Sequence, residues 1–309
     1  MTADAVDVGL DDHDRDRERD VSVGEEAERH LAAAERRRGL LLALPAYAYM
    51  VVFFAVPLVI VFAYSFSTRS RTGDPTFSEV GFDAYRKLAE PLIRNVAVRS
   101  AILAGVTTVI CLLLAYPFAY FVATRKPTAR NLLLVAVMIP FWTNFLVRNY
   151  AWRVILSTGG PISGVTEAIG LGETDLLFSR TAVVIGLVYS FLPFMILPMY
   201  ASIERIDWQL VEASRDLYCS GWRSFTKVVL PLSMPGVIAG SILVFVPSLG
   251  AYVTPAILGG NKEPLLGEYI VGQFLTARNW PVGASLSFVL MTVMLGATLV
   301  YFRSGGKNL

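Results

Sequence analysis

The sequence predicts an all-α integral membrane protein with six transmembrane helices. Of its 309 residues, 54% are hydrophobic and only 17% are charged, whereas an average soluble domain carries about 25% charged residues. The shortfall in charge is concentrated in six long apolar runs, each near or above the roughly 20 residues that a helix needs to cross a bilayer. A soluble protein of this length would need a very large core to bury so much apolar surface.

The six apolar runs are the predicted spans, in chain order. A single run of this kind is also compatible with a buried core helix or a re-entrant segment, but six runs of this length favour spans. The runs are Leu40–Phe66, Ala101–Thr124, Asn131–Leu156, Thr181–Ile203, Gly236–Leu258 and Ala284–Phe302.

A charged tail precedes the first span. Residues 1–38 are dense in Asp, Glu and Arg, and their stretch DDHDRDRERD is of low complexity and mixed in sign, which is typical of disorder. The acidic start and the length of the following apolar run argue against a signal peptide. We therefore expect a charged tail at 1–38, a first transmembrane helix at 39–66, and the other five helices within 95–303.

Basic residues at the ends of the spans predict that both termini are cytoplasmic. If the spans alternate in direction, four basic groups share one face, but the loop after the first span also carries basic residues, among them Arg69, Arg71, Arg86, Lys87 and Arg94, so the bias is modest. This orientation places the connector between the fourth and fifth spans in the cytoplasm. The four groups are Arg36–Arg38, then Arg125, Lys126 and Arg130, then Arg215, Arg223 and Lys227, and finally Arg303 and Lys307.

Catalytic and metal-binding patterns are missing from the sequence. Both histidines, His13 and His30, fall in the tail, so we predict no metal site. The two cysteines, Cys111 and Cys219, give no disulfide framework. The chain has no G-x-x-x-x-G-K-[ST] phosphate loop, so we expect no bound cofactor and no ATP hydrolysis by this chain. No nucleophile–base pair is visible in the spans, which argues against a membrane enzyme, and no nucleic-acid partner is predicted.

The connector between the fourth and fifth spans is a charged stretch between two strongly apolar segments. It reads EASRDLYCSGWRSFTKVVLPLSMPG over residues 212–236. Its first part is compatible with a helix, in which Val211, Leu217 and Trp222 are expected to supply apolar contacts. A break near CSG and the prolines of LPLSMPG, which interrupt a helix, predict a helix–turn–helix at the membrane surface. Such a rigid unit can transmit a push from a soluble partner to the spans.

This connector resembles the coupling loop of ATP-binding-cassette (ABC) importer permeases. The family motif reads Glu-Ala-Ala, three residues, Gly, nine residues, Ile, one residue, Leu-Pro. Tyr218 stands at the Gly position, where Gly adopts positive φ at little cost, and Gly221 is expected to take over the turn. The residues assigned to the ATPase-coupling loop are Glu212, Ala213, Ser214, Asp216, Tyr218, Gly221, Leu230 and Pro231.

The resemblance covers most of residues 40–303. The segments PFWTNFLVRNYAWRVIL, GLVYSFLPFMILPMYASIERID, PLSMPGVIAGSILVFVPSLGAYV and ARNWPVGAS resemble the first permease subunit of spermidine/putrescine importers. This implies a type I ABC importer permease fold, with a transmembrane type-1 domain at 95–303 and a cytoplasmic coupling loop at about 204–235, between helices four and five. Branches that carry thiamine, iron or phosphonates share parts of the pattern, and they remain alternatives to a polyamine importer.

The resemblance also implies a set of partners in the plasma membrane. These are a cytoplasmic ABC ATPase dimer that uses the ATP, a second homologous permease subunit, and an extracytoplasmic solute-binding protein. Closure of the ATPases would rock the spans between inward-facing and outward-facing states. A stand-alone secondary transporter is the alternative, but it would usually need coupling carboxylates in its spans, and none of the six runs contains Asp or Glu.

Aromatic and polar residues are the candidates for a translocation pathway. A polycation binds to carboxylates or aromatic faces, although aromatic residues in spans also serve as interfacial anchors. Arg148 and Arg153 lie in an apolar run, where ionisable groups are functional candidates unless they snorkel to the headgroups, which we favour for Arg153. Arg148 would repel a polyamine, which indicates a gate, a structural role or an anionic substrate. The candidate pathway residues are Trp142, Asn144, Arg148, Tyr150, Tyr189 and Tyr252.

Overall fold

A computed structural model describes residues 43–69, 75–77, 81–170, 172, 175–260 and 263–305, with the backbone alone at residues 300–305. The predicted charged tail at 1–38 lies outside the described residues. The described chain is mostly helical, and two short strands, β1 (Thr68–Arg69) and β2 (Pro75–Thr76), pair antiparallel in the loop after the first helix.

Thirteen α-helices are found in the described residues. A 3₁₀ turn at Ile139–Trp142 follows α4, and a π-helical segment at Phe225–Val229 joins α9 to α10. The helices are α1 (Ala43–Ser65), α2 (Asp83–Lys87), α3 (Pro91–Ala123), α4 (Pro127–Met138), α5 (Phe145–Leu156), α6 (Pro161–Ala168), α7 (Arg180–Glu204), α8 (Trp208–Asp216), α9 (Gly221–Ser224), α10 (Leu230–Leu249), α11 (Val253–Leu258), α12 (Leu266–Leu275) and α13 (Trp280–Gly305).

Five helices of the described chain are long and apolar enough to cross a bilayer. They are α1, α3, α7, α13 and the continuous helix Gly221–Leu249, which contains α9, the π-helical segment and α10. A sixth span is present if the bent pair Pro127–Trp142 and Phe145–Ala168 counts as one. The predicted all-α membrane class is confirmed. Residues up to Val61, which include most of α1, form a unit of their own, and the packing described below belongs to residues 62–309.

The prediction of one unbroken helix over Asn131–Leu156 is wrong. The helix axis turns by 88° between α4 and α5, across the 3₁₀ turn. Pro140 lies in that turn and lacks the N–H that an α-helix would use. Asn144 then starts α5, because its side-chain oxygen accepts a hydrogen bond of 2.8 Å from the Leu146 N–H. This segment, residues 139–144, is called the break below.

The prolines of LPLSMPG do not end the helix, and they coincide with a change in its hydrogen bonding. The helix Gly221–Leu249 runs through this stretch and ends before the predicted limit of Leu258. Pro231 has no N–H to donate, and the preceding turn widens so that the Leu230 N–H bonds to the carbonyl of Phe225, five residues earlier. The π-helical turn therefore lets the second helix of the connector continue into the membrane span.

Helices α3, α7 and α10 form the core, and small residues let α7 and α10 approach closely. A Cβ atom at Gly236 would lie 2.6 Å from the carbonyl oxygen of Pro198, and a Cβ at Gly240 would lie 2.7 Å from the sulfur of Met195. Membrane helices associate through such small-residue contacts, because lipid tails are as apolar as the side chains. The fully buried side chains of this core include Cys111, Ala115, Met199, Ile203 and Val244.

We expect Gly236→Ala to destabilise the protein by about 1–3 kcal/mol, because the added methyl overpacks a backbone contact. The thermal unfolding midpoint of the purified chain in detergent measures the effect. Gly105→Ala is the matched control, since nothing lies within 4 Å of its Cβ position in α3 and a helical Gly→Ala change gains roughly 0.5–1 kcal/mol. Equal shifts for the two variants would contradict the close approach of α7 and α10.

Candidate functional site

The connector between α7 and α10 is built from α8, a tight turn and α9. Asp207 starts α8 by accepting a hydrogen bond of 3.0 Å from the Gln209 N–H. At the other end Tyr218 adopts φ +59°. Its N–H donates to the carbonyl of Arg215 at 2.9 Å, while the next N–H, that of Cys219, reaches the carbonyl of Ser214 at 3.2 Å. These two bonds form a Schellman motif, which ends a helix at a left-handed residue.

The prediction that Gly221 takes over the turn is wrong. Gly221 is the first residue of α9, with the Ser220 side chain as its cap, and Tyr218 itself adopts the left-handed conformation in place of the motif's Gly. The hydrogen bonds that close α8 require that conformation at this one position, so it cannot move three residues along the chain.

We expect Tyr218→Gly to stabilise the connector by about 1 kcal/mol, because a left-handed conformation costs a residue with a Cβ roughly that much. Amide hydrogen exchange at residues 213–219 should slow by about fivefold, the factor that 1 kcal/mol represents. Leu217→Gly is the control, since Leu217 has φ −81° and gains nothing from Gly. Faster exchange in Tyr218→Gly than in the unmodified chain would contradict the turn geometry.

A serine pair holds the two connector helices together. The Ser214 hydroxyl lies 2.6 Å from the Ser224 hydroxyl and donates to the carbonyl of Val211 at 2.7 Å. Ser224 is buried. The motif has Ala at the position of Ser214, so this departure from the motif adds a direct link between α8 and α9.

The inner face of the connector packs on the ends of α3 and α7. Val211 and Val229 are 4% and 1% exposed and belong to the main core. The Phe225 ring meets the rings of Tyr116 and Trp222 with centroids 5.4 and 5.6 Å away. The predicted apolar contact of Val211 is confirmed. The connector therefore packs against the spans through its inner face.

The outer face of the connector carries three large exposed apolar side chains, called the tip below. Leu217 is 78% exposed, Tyr218 97% and Trp222 73%. Trp222 makes the predicted apolar contact through its stacking on Phe225, whereas Leu217 is absent from the hydrophobic core of the described residues. Exposed apolar groups in a cluster mark an interaction surface. The motif residues Glu212, Ala213, Asp216, Gly221 and Pro231 are also exposed, whereas Ser214 and Leu230 are half-buried.

An ion pair that the sequence did not suggest links the start of α4 to the end of α7. The Arg130 guanidinium lies 2.7 Å from the Glu204 carboxylate, and both side chains are partly shielded from solvent. Glu204 is the last residue of α7 before the connector. The ion pair therefore joins α4, the first half of the bent pair, to the end of α7 where the connector begins.

Arg148 stabilises the break. Its guanidinium donates to the carbonyls of Phe141 and Thr143 at 3.1 and 2.9 Å, and it lies 5.4 Å from the Phe141 ring centroid and 5.9 Å from that of Tyr189. The residue is 8% exposed. Carbonyls at the end of a helix lack internal partners, and a cation there also meets the negative end of the helix dipole.

The other candidate pathway residues are mostly exposed. Trp142 is 75% exposed, Tyr150 54%, Tyr252 48% and Tyr189 36%. Asn144 is exposed as well, with its oxygen engaged as the cap of α5. The structure therefore brings Arg148, Tyr189 and the break together, while Trp142, Tyr150 and Tyr252 present free aromatic surface.

The break defines the class of the protein. The break lies about 20 Å from the start of α4, measured along the helix axis at 1.5 Å per residue. Some residues of the break are exposed. Irregular backbone at membrane depth occurs only where protein buries it or where it lines a water-filled cavity. Together with the connector, it indicates a membrane permease.

Residues 115–304 match the family described as the binding-protein-dependent transport system inner membrane component, and the chain belongs to this family of ABC importer permeases. The Escherichia coli K12 spermidine/putrescine transport system permease protein PotB is 41% identical over 259 residues, which is 82% of this chain and 93% of that protein. The Haemophilus influenzae PotB is 40% identical over 257 residues, 82% of this chain and 90% of that protein.

Two further similarities are more distant. The E. coli K12 inner membrane ABC transporter permease protein YdcU is 30% identical over 270 residues, with 82% of this chain and 84% of that protein covered. A chain of a bacterial ABC transporter that imports the acidic polysaccharide alginate shares the fold, with a TM-score of 0.67 at 16% identity over 89% of this chain and 99% of that one. The predicted importer permease fold is confirmed.

Proposed function

We propose that this chain is one of two permease subunits of an ATP-driven importer for spermidine/putrescine-like polyamines. The observation that carries the proposal is the connector, which follows the coupling motif, is fixed to the spans by its inner face and exposes an apolar tip. The identity to PotB proteins over most of both chains supports the substrate class. Within the chain, residues 1–38 form a charged tail, 39–66 the first span and 95–303 the transport domain.

The partner at the tip is a cytoplasmic ABC ATPase, which binds and hydrolyses the ATP. Leu217, Tyr218 and Trp222 enter a groove on the ATPase, and Glu212, which is also exposed, contacts the same partner. Large aromatic anchors surrounded by polar residues are typical of the energetically important centre of an interface. On this proposal the connector and both termini are cytoplasmic, and the basic residues at the span ends support that orientation.

The partner at the break is the second permease subunit, which completes the pathway. When the second subunit covers the break, the irregular backbone of the break no longer faces lipid, where its polar groups would lack hydrogen-bond partners. Trp142, Tyr150 and Tyr252 offer aromatic faces to a polycation, and Tyr189 and Asn144 belong to the same proposed pathway. Arg148 stabilises the break through the carbonyls of Phe141 and Thr143, and at 8% exposure it presents little surface to the polyamine. An extracytoplasmic solute-binding protein delivers the polyamine at the opposite end.

Purification from detergent-solubilised membranes tests the assembly. With this chain as bait, we expect an ABC ATPase and a second six-span permease to copurify. The assembled complex in proteoliposomes, with its binding protein, should take up labelled spermidine or putrescine when ATP is inside. A chain that purifies alone as a homo-oligomer would overturn the assembly and favour secondary transport. An assembled complex that takes up thiamine, iron or a phosphonate but no polyamine would overturn the substrate alone.

A further inference from the structure

A groove runs between α3 and α7 at the end of the helices opposite the connector. Its cavity volume is about 600 Å³. Its long wall is apolar and half-open to the surroundings, with Ile102 62% and Val106 44% exposed. Besides these two residues, the apolar wall is formed by Leu103, Ile110, Val183 and Val184.

Four charged side chains surround one end of this groove. Arg99 lies 3.7 Å from one oxygen of Glu263, and Arg180 donates to the other oxygen. The Arg180 guanidinium holds the pKa of the Glu263 carboxyl below its usual range, so Glu263 is ionised and offsets one of the two positive charges. The Arg99 and Arg180 side chains are 50% and 69% exposed, which leaves N–H donors free for another group.

The fourth charged group is Glu268, near the start of α12. The Leu266 N–H donates to the Ser100 hydroxyl at 2.7 Å, so α12 starts at the level of Arg99. One Glu268 oxygen accepts from the Leu265 N–H at 2.9 Å, and the other has no hydrogen-bond partner among the described residues. Burial raises the pKa of this carboxyl, and a ligand donor at the unpaired oxygen would offset that burial.

The dimensions of the groove fit one acyl chain. Ile110 follows Arg99 by 11 residues on α3, about 16 Å along a helix axis, and one leaflet contributes about 15 Å of hydrocarbon. The length of the apolar wall therefore matches one acyl chain.

The groove and its charged end together point to a particular lipid. We propose that the groove binds a phospholipid whose zwitterionic headgroup carries a primary amine, such as phosphatidylethanolamine. One acyl chain lies along the apolar wall, the phosphate contacts Arg99 and Arg180, and the ammonium group donates to Glu268. Two guanidinium groups and two carboxyl groups match a headgroup that carries one charge of each sign.

This assignment predicts an order among lipids with identical acyl chains. Phosphatidylcholine has the same charges but no N–H to donate to Glu268. Phosphatidylglycerol has the phosphate but no cation to meet the carboxylates. We expect the full chain, purified in detergent and measured by native mass spectrometry, to retain at least fivefold more phosphatidylethanolamine than either of the other two. Equal retention of the three lipids would overturn the proposal.

Matched variants locate the site. Val106→Trp fills the groove and should abolish the preference, whereas Val109→Trp, on an exposed part of the same helix outside the groove wall, should keep it. Arg99→Gln should weaken retention of phosphatidylethanolamine, and Arg94→Gln, at an exposed position nearer the start of α3, should not. Glu268→Gln keeps a side-chain acceptor for the Leu265 N–H and should reduce the preference for phosphatidylethanolamine over phosphatidylcholine. An unchanged preference in Val106→Trp would overturn the proposal.

A photoreactive side chain at position 106 distinguishes a lipid from a protein neighbour in the native membrane. Irradiation should yield a phosphatidylethanolamine adduct of the chain. A cross-link to a second polypeptide in place of the lipid adduct would assign the groove to a subunit interface and overturn the proposal. Neither outcome bears on the transported substrate.

Discussion

Glu212→Lys is expected to abolish ATP-driven uptake while the chain stays folded in the membrane. Glu212 is exposed at the first motif position and makes no ion pair within the described chain, so the change alters folding stability by no more than about 0.5 kcal/mol. At the proposed interface with the ATPase, the substitution replaces a negative charge by a positive one. The loss of a paired charge at an interface costs about 2–5 kcal/mol of binding free energy. Binding of the ATPase should therefore weaken at least thirtyfold.

Two measurements on the same preparation check this result. Labelled spermidine uptake into proteoliposomes reports transport, and the amount of ATPase that copurifies reports the interface. Glu167→Lys is the matched control, because Glu167 is an exposed carboxylate on α6, far along the chain from the connector. Normal uptake by Glu212→Lys would remove Glu212 from the coupling surface.

Arg148→Met is expected to destabilise the protein by about 2–4 kcal/mol and to reduce transport with it. The change leaves the carbonyls of Phe141 and Thr143 without their charged donor, and a hydrogen bond to a charged group contributes about 1.5–3 kcal/mol. Met fills much of the same volume, so the loss reports the hydrogen bonds rather than a cavity. Thermal unfolding of the purified chain measures the change in stability.

Arg153→Met is the control for Arg148. Arg153 is exposed, with its guanidinium 5.7 Å from the Phe178 ring centroid, and an exposed cation–π contact contributes about 0.5–1 kcal/mol. We expect Arg153→Met to unfold within a few degrees of the unmodified chain. If the two arginine variants unfold at the same temperature, the hydrogen bonds of Arg148 do not stabilise the break.

The sequence was sufficient for the spans but not for the break. Length and apolarity locate spans well, because crossing a bilayer requires both. Apolarity continues through Pro140, so the run gave no sign of the 88° bend. Proline alone is ambiguous, since Pro117, Pro193 and Pro198 lie within unbroken helices. The local signal was Pro140 followed by Asn144, a residue that favours the start of a helix.

In the candidate site, too, the sequence predicted the location of the segment but not its detailed geometry. The motif located the connector, and its apolar character predicted the contact of Val211. The turn was predicted at Gly221 because glycine is the residue most tolerant of positive φ, whereas the end of α8 fixes it at Tyr218. The links Arg130–Glu204 and Ser214–Ser224 depend on how separate helices meet, which local sequence patterns do not specify.

The unbroken helix Gly221–Leu249 has a mechanical consequence. It contains 29 residues and is about 43 Å long at 1.5 Å per residue, and Trp222 lies at one end of it. A tilt of about 10° around its midpoint would displace each end by about 4 Å in opposite directions. A movement at Trp222 would then be accompanied by a movement of similar size at Leu249, because one continuous helix joins the two residues.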